Sequence, residues 1–426
     1  MTESLPYYWA SAGCRPLPDT ALQEEITTEA CIIGAGLTGL STAWHLAQAG
    51  VEAVIVEAHH PGHGASGRSG GQVLPGFGCS MARLRAMVGE RAAQQLWALS
   101  LDGVALVADL ATRLGIHCDL KCGHVVCAPS KRHAAELLAL RHDLQDRHGY
   151  PTDYLERDAL QAHVASPRYV AGLVDRRALH LHPLRFTLGL ADAVAASGVR
   201  CFGQSPAVQL QQLGGHWRVR TNKGAVRCQK LFVCTNAYLH QIAPRLAPPM
   251  AGHTLPVASA MLATEPLPQE RMPLPDGWAG HDTNWVVDYF RPTEDGRLLF
   301  GGRAWYGGAV PQDVLGMVRA RLLHAFPQLH DAAIHSAWGG LIAITTNRMP
   351  HVGSLGKHSW FAHGYSGHGM ALSVLLGQAM AQAALGEASA FAALAQVPQR
   401  RFPGGRLLAQ PLVQLAMAAA RLRDSI

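Results

Sequence analysis

Residues 30–57 read ACIIGAGLTGLSTAWHLAQAGVEAVIVE, and this stretch decides the fold. Residues 30–33 form a short apolar run, as a buried strand requires. Residues 37–49 carry helical periodicity and stop at Gly50, a residue suited to the position after a helix end. Residues 53–57 are a second apolar strand closed by Glu57. A strand, a helix and a second strand in about thirty residues make a βαβ unit. The turn between the first two is Gly34-Ala-Gly36-Leu37-Thr38-Gly39. Gly34 permits the tight turn, Gly36 lets backbone approach a pyrophosphate, and Gly39 lets the helix pack on the strand. The helix start at Leu37 and Thr38 offers unpaired N–H groups and a partial positive charge to phosphates. Glu57, followed by Ala58, is placed to accept hydrogen bonds from ribose hydroxyls. Its charge disfavours a 2′-phosphate, and therefore NADP.

Outward from this unit the chain continues into a second glycine cluster, Gly64-Ala65-Ser66-Gly67-Arg68-Ser69-Gly70-Gly71-Gln72. A long cofactor has room to extend along it, which favours FAD over NAD. The cluster also contains G-x-S-x-G, the pattern of a hydrolase nucleophile elbow. An elbow needs a strand before the serine and a helix after it. Glycines flank Ser69 instead, so the cofactor reading is the better one.

The whole chain has 426 residues, of which 48% are hydrophobic and 15% charged. That composition fills a large core and implies two or three domains. The net charge of +6 is spread along the chain, with no Lys/Arg block of the kind nucleic-acid surfaces need. Arg greatly outnumbers Lys, which favours bidentate carboxylate or phosphate contacts. Nine scattered Cys without a CxxC pair, and an opening MTESLPYYWAS without a signal pattern, point to a reducing, cytoplasmic setting. The Ala-rich run 371–395 is interrupted by Gln378, Gln382 and Glu387 and reads as buried helix. Residues 1–28 read as an irregular leader, 81–145 as mostly amphipathic helix, and 184–198, 313–325 and 370–385 as helices. Strand-like alternation occupies 207–210, 217–220 and 231–234, and 285–302 reads as two strands turning at Asp295-Gly296. Pro-rich segments 244–256 and 266–275 read as connections.

The stretches already quoted, with Cys234-Thr235-Asn236-Ala237-Tyr238, Tyr289-Phe290-Arg291, Asn347-Arg348-Met349-Pro350, Gly364-Tyr365-Ser366-Gly367-His368-Gly369 and Phe402-Pro-Gly-Gly-Arg406, resemble the D-amino-acid-oxidase-type FAD-dependent oxidoreductases. Within that family they are most similar to the branch acting on γ-glutamylputrescine. The resemblance implies an α/β (α+β) architecture: a Rossmann-like FAD-binding domain and a mixed-sheet substrate domain, both discontinuous. The expected division is 1–85, 150–237 and 335–426 for FAD and 86–149 and 238–334 for substrate. It implies hydride transfer from an amine-bearing carbon to FAD, giving an imine, then an aldehyde or keto acid, with O2 or another acceptor as the electron sink. A γ-glutamylated polyamine is the first substrate reading. A cyclic or D-amino acid, or a quinone-linked dehydrogenase, is the alternative. Where sarcosine oxidase carries a flavin-linking Cys, residues 338–348 have none, so noncovalent FAD is implied. The lysine which that enzyme keeps near the flavin is missing from 297–301.

Further expected FAD contacts are Val208 beside the adenine, Thr235, Asn236 and Ala237 after a strand, and Gly340. Gly364, Tyr365, Gly367, His368, Gly369 and Met370 form the last group, before a helix whose N-terminus would stabilise the reduced flavin. His368 reads as a base or, more plainly, as a residue packing the helix start. Arg68, Arg291 and Arg348 are candidates for a substrate carboxylate. Trp285, Tyr289, Trp305, Tyr306 and Tyr365 are candidates for an aromatic pocket, with core packing as the competing reading. His59, His60 and His63 lie in a turn rather than a metal site, and Cys118, Cys122 and Cys127 lack zinc spacing. The apolar tail after Pro411 reads as a docked helix.

Overall fold

The computed structural model describes residues 7–13, 21–239, 250, 252–305 and 313–403. Tyr306, the side chain of Trp305 and the tail after Pro411 lie outside the described residues. Two sheets organise the chain. In the first, the order from one edge is His351–Gly353, Ser359–His363, Ala225–Val233, Glu25–Ile33, Ala53–Val56 and Arg200–Phe202. All of these pairings but the first are parallel, with Ile33 opposite both Val233 and Val56. Parallel strands must be covered on both faces, and these are: Ile32 and Ile55 face one apolar cluster, Cys31, Val54 and Val56 another.

The second sheet is mixed, in the order Ile334–Thr345, Thr254–Thr264, Leu298–Trp305, Tyr289–Pro292, Ala279–Asp282, Lys121–Ala128, Ala171–His180 and Gln72–Val73. Its one parallel junction joins Ala279–Asp282 to Lys121–Ala128. One face buries Phe290, Phe300 and Leu262 against the helix Val314–Ala325. Each such phenyl contributes about 1.5–3 kcal/mol. By the two-residue strand period, the neighbours of these residues point the other way, toward the first sheet.

Several elements depart from the sequence reading. The leader contains a helical turn, Tyr7–Ser11, because Tyr8 and Tyr7 are buried against Trp338 and Leu299. The first strand begins at Glu25, paired in register with Ala225. The helical region 81–145 is split by the strand Lys121–Ala128, whose buried Val125 and Cys127 pack into the second sheet. Part of the connection expected at 244–256 is strand, since Thr254–Thr264 pairs along its length with Ile334–Thr345. Asp153–Glu156, Ala171–His180 and Ile334–Thr345, expected within the FAD-binding stretches, all hydrogen-bond in the second sheet. The 371–395 run is two helices, Gly369–Ala384 and Ser389–Ala395, bent by 117°. No single described helix is long and apolar enough to cross a membrane.

Candidate functional site

A cavity of about 880 Å³ lies between the two sheets, within the size range of cofactor and ligand sites. One end is the turn of the βαβ unit. Gly34 has φ +105°, and a Cβ there would stand 2.8 Å from Cys234 O. At Gly39 a Cβ would overlap Gly34 O and come within 3.1 Å of Ile32 Cγ2. Gly39 therefore shapes the turn without lining the cavity, whereas Gly34, Gly36, Leu37 and Thr38 line it. Gly36 is the N-cap of the helix Leu37–Gln48 and has no side chain to cover the helix start. Ser66, from the second glycine cluster, accepts the Leu37 N–H at 3.0 Å.

The Glu57 carboxylate is oriented by two backbone donors. Oε2 accepts the Ala35 N–H at 2.7 Å and Oε1 the His59 N–H at 2.8 Å. Each oxygen keeps further acceptor capacity toward the cavity. Ser205 N–H donates to Glu57 O, which brings Pro206, Ala207 and Val208 onto the same wall. Ala58, Gly64, Ala65, Arg68, Gly70, Gly71 and Gln72 also line the cavity, while Gly67 packs on Gly62 and Leu184. Arg68 is committed to backbone: Nε donates to His63 O at 2.7 Å and Nη1 to Gly339 O at 3.2 Å. No hydrolase elbow forms at Ser69, because the strand Gln72–Val73 follows it. His63 sits 3.9 Å from the His59 ring, and burial pushes its imidazole down to about 3. No cluster able to hold a metal exists among the described residues.

Thr235 and Asn236 leave the strand Ala225–Val233 and reach the cavity. Asn236 Oδ1 accepts the Gly364 N–H at 3.0 Å. Thr235 Oγ1 is buried without a hydrogen-bond partner; a buried hydroxyl of this kind is costly unless a ligand satisfies it. Ala237 lies off the cavity, packed against Ala258, Leu341 and Ala343. Gly364 is also off it, but Tyr365, Ser366, Gly367, His368, Gly369 and Met370 line it, as does Gly340. Tyr365 OH is 2.6 Å from Thr38 Oγ1, which joins the starts of the helices Leu37–Gln48 and Gly369–Ala384. These helices pack closely, with Ser41 Oγ donating to Val374 O at 2.7 Å. Both N-termini therefore open on one cavity. His368 is the N-cap of the second, and its side chain does not cap it. Its Nε2 donates to Leu74 O and Pro75 O at 3.2 and 3.0 Å. Two carbonyl partners require the proton on Nε2, and burial holds the ring's pKa below its ordinary value.

The far wall is a row of residues across the second sheet. His281 is opposite Tyr289, Tyr289 opposite Gly301, Gly301 opposite Met261, and Met261 opposite Trp338. Directly paired residues share a face, and all of these except Gly301 line the cavity. Gly301 is required because the Tyr289 ring occupies the space of its missing side chain. Tyr289 OH is 3.0 Å from Ser259 Oγ, and burial pushes its pKa up to about 12. Trp285 and Arg348 stand at the same wall, with the guanidinium carbon 5.5 Å from the indole centre. Arg291 does not reach the cavity. It is 1% exposed, donates to Gly70 O at 2.9 Å, and sits near Asp119 and Tyr8. Sequence reasoning did not single out His281, Met261 or Ser259, whose positions depend on strand register.

Comparison with known proteins agrees with this geometry. A sequence model described as FAD dependent oxidoreductase matches residues 29–383. The chain is 34% identical to "Gamma-glutamylputrescine oxidoreductase" of Escherichia coli (strain K12), over 100% of both chains. It is 36% identical to "Probable oxidoreductase OrdL" of Haemophilus influenzae, covering 89% of this chain and 88% of that one. Among solved structures, glycine oxidase from Geobacillus kaustophilus superposes with a TM-score of 0.77 at 19% identity, over 88% of this chain and 99% of the other.

Proposed function

The chain belongs to the FAD-dependent oxidoreductase family, and from that premise we propose that it oxidises the C–N bond of a small amine, best read as γ-glutamylputrescine or a related γ-glutamylated polyamine. The cavity fits FAD: a glycine cradle faces two helix N-termini, an oriented carboxylate stands at the ribose position, and an unsatisfied Thr235 hydroxyl waits on the wall. Gly34, Gly36, Ser66, Glu57 and Thr235 would hold it. When bound, FAD supplies the acceptor for the hydride and electrons leaving the amine-bearing carbon. The one described cysteine on the wall, Cys234, has its thiol pushed up to about 12 by burial, which supports noncovalent attachment.

The observation that carries the substrate reading is the charge of the cavity. Among its described lining residues the Asp, Glu, Lys and Arg side chains are Glu57, Arg68 and Arg348. Glu57 and Arg68 stand at the dinucleotide end, and Arg348 stands beside Trp285 at the far wall. The apolar part of that wall is Trp285, Val286, Val287, Ile342, Met261 and Trp338, beside His281, Tyr289 and Ser259. A free diamine would bring two ammoniums and no anion to a wall that holds a guanidinium and no described acid. A γ-glutamylated amine brings a carboxylate that matches Arg348 and a methylene chain that matches the apolar surface. The eight described cysteines are all free, which supports a reducing compartment.

The test is anaerobic bleaching of the flavin by a panel of γ-glutamylputrescine, putrescine, D-proline, L-pipecolate and glycine, followed by oxygen consumption. We expect γ-glutamylputrescine to bleach at the lowest concentration. Arg348→Ala should raise its KM about tenfold, the value of one charge-assisted hydrogen bond, with unchanged flavin content. Bleaching by ring imino acids alone would overturn the polyamine reading. Peroxide formation would identify O2 as acceptor over a quinone.

A further inference from the structure

Behind the far wall lies a second imidazole. His281 Nδ1 is 3.0 Å from His124 Nε2, on the neighbouring parallel strand. His124 is 2% exposed, whereas His281 is half-buried and opens on the cavity. Burial holds His281 down to about 4 and His124 well below its ordinary value, with the His368 ring acting in the same direction on both and His180 on His124. Both rings are therefore neutral at physiological pH. One must donate to the other across the 3.0 Å contact.

The other polar groups around this pair are engaged. His180 Nε2 donates to Gly277 O at 2.9 Å, and His368 Nε2 to the Leu74 and Pro75 carbonyls. The Gln72 amide donates to Gly280 O at 2.8 Å, and Tyr289 OH is on Ser259. Lys121 and Arg291, the cations of the surrounding elements, act on His180 rather than on His281. Among the described residues only Nδ1 of His281 has a partner, which leaves Nε2 for whatever fills the cavity.

Resting on the amine-oxidising reading above, we propose that His281 is the proton acceptor for the substrate amine, with His124 as its relay. His124 Nε2 accepts the His281 Nδ1–H, which fixes the tautomer with a bare Nε2 toward the cavity. The ammonium N–H bond of the substrate breaks, its electron pair stays on nitrogen, and the proton joins His281 Nε2. The Nδ1 proton is then shared with His124 Nε2 across the same 3.0 Å contact. A weak base suffices, because the ammonium enters a wall with no described carboxylate and is itself desolvated toward its neutral form. Loss of the ammonium proton frees the lone pair that assists hydride departure from the neighbouring carbon.

The experiment uses the FAD-loaded enzyme and the amine that bleaches the wild type, and reads the anaerobic flavin-reduction rate against pH. His281→Ala should keep its FAD, lose about 100-fold in rate at neutral pH, the usual scale of a general base, and regain part of it when imidazole is added. His281→Gln keeps a hydrogen-bond acceptor but takes no proton. It should approach the wild-type rate only at alkaline pH, where the amine is already neutral, so its profile shifts upward. Profiles that superimpose on the wild type, or an Ala loss that imidazole leaves untouched, would overturn the proposal. If no amine bleaches the wild type, the amine reading falls and this assignment with it; bleaching by wild type and both variants alike removes only His281.

Discussion

At the dinucleotide end the cavity is built from backbone, mostly between Gly34 and Gln72, a continuous piece of chain. At the substrate end it is built from side chains, the row His281, Tyr289, Met261 and Trp338, drawn from four separate strands. In the first region a glycine matters for the atoms it leaves out, and at Gly36 and Gly39 the neighbours in space are also near in the chain. In the second, a residue matters for the face on which it falls, and that face is set by the register of strands it does not adjoin. The two regions should therefore fail differently when disturbed.

The largest effect is expected at Gly39. A Cβ there would overlap the Gly34 carbonyl, and neither backbone can retreat without opening the strand–turn–helix. Such overpacking costs about 1–3 kcal/mol and spoils the approach to the pyrophosphate. Gly39→Ala should purify without visible flavin absorbance. Gly36→Ala is the control: its Cβ would stand 3.0 Å from Ser66 Oγ, the end of a side chain that can rotate. That variant should keep part of its FAD, and Ser66→Ala should restore more. A fully yellow Gly39→Ala protein would break the contrast between the regions.

Gly301→Ala makes the opposite prediction. The added methyl overlaps the Tyr289 ring and forces it out of the row, while the cradle at Gly34–Gly39 is untouched. The flavin content should stay at the wild-type level and the rate of amine-dependent bleaching should fall about 100-fold, the cost of a misplacement near 1 Å. Loss of FAD in this variant would show that the two ends are not separable.

The same difference explains what could be read in advance. Most of the βαβ unit was legible: the helix expected over 37–49 is Leu37–Gln48 and the strand expected over 53–57 is Ala53–Val56, while the strand expected at 30–33 begins earlier, at Glu25. Its signals are local. Lys121–Ala128 was hidden because its buried Val125 and Cys127 surround no clear alternation, and because His124, a polar residue, points inward. Arg291, expected at the substrate carboxylate, shares a strand face with Tyr289, but the row that meets the cavity passes through Tyr289. Two pairs further along, the arginine lies under Gly70 O instead. His281 gave no signal at all. Its partner is 157 residues away, and only the parallel junction between their strands brings them together.

The smallest effect separates two buried imidazole pairs by their position. His351 Nδ1 lies 2.8 Å from His363 Nε2 at the edge of the first sheet, and neither ring lines the cavity. Burial pushes His351 down to about 3 and His363 well below its ordinary value. Both stay neutral in the folded chain, whereas an unfolded histidine takes up its proton near pH 6.5. Below about pH 6.5 the unfolded state therefore binds protons that the folded state refuses, and stability falls as pH drops; above it this term is constant. One fully buried ring contributes a slope of at most about 1.4 kcal/mol per pH unit. His363→Leu should be less stable at neutral pH, with the repacking and the lost partner of His351 both acting against it. Its decline between about pH 6 and 5 should nevertheless be shallower than that of the wild type by up to that slope, as read by urea unfolding of the FAD-loaded protein. An unchanged slope would mean that His363 is protonated inside the fold. The buried imidazoles of the first sheet would then share the proton-accepting character assigned to His281, and the distinction between a pair that opens on the cavity and one that does not would be lost.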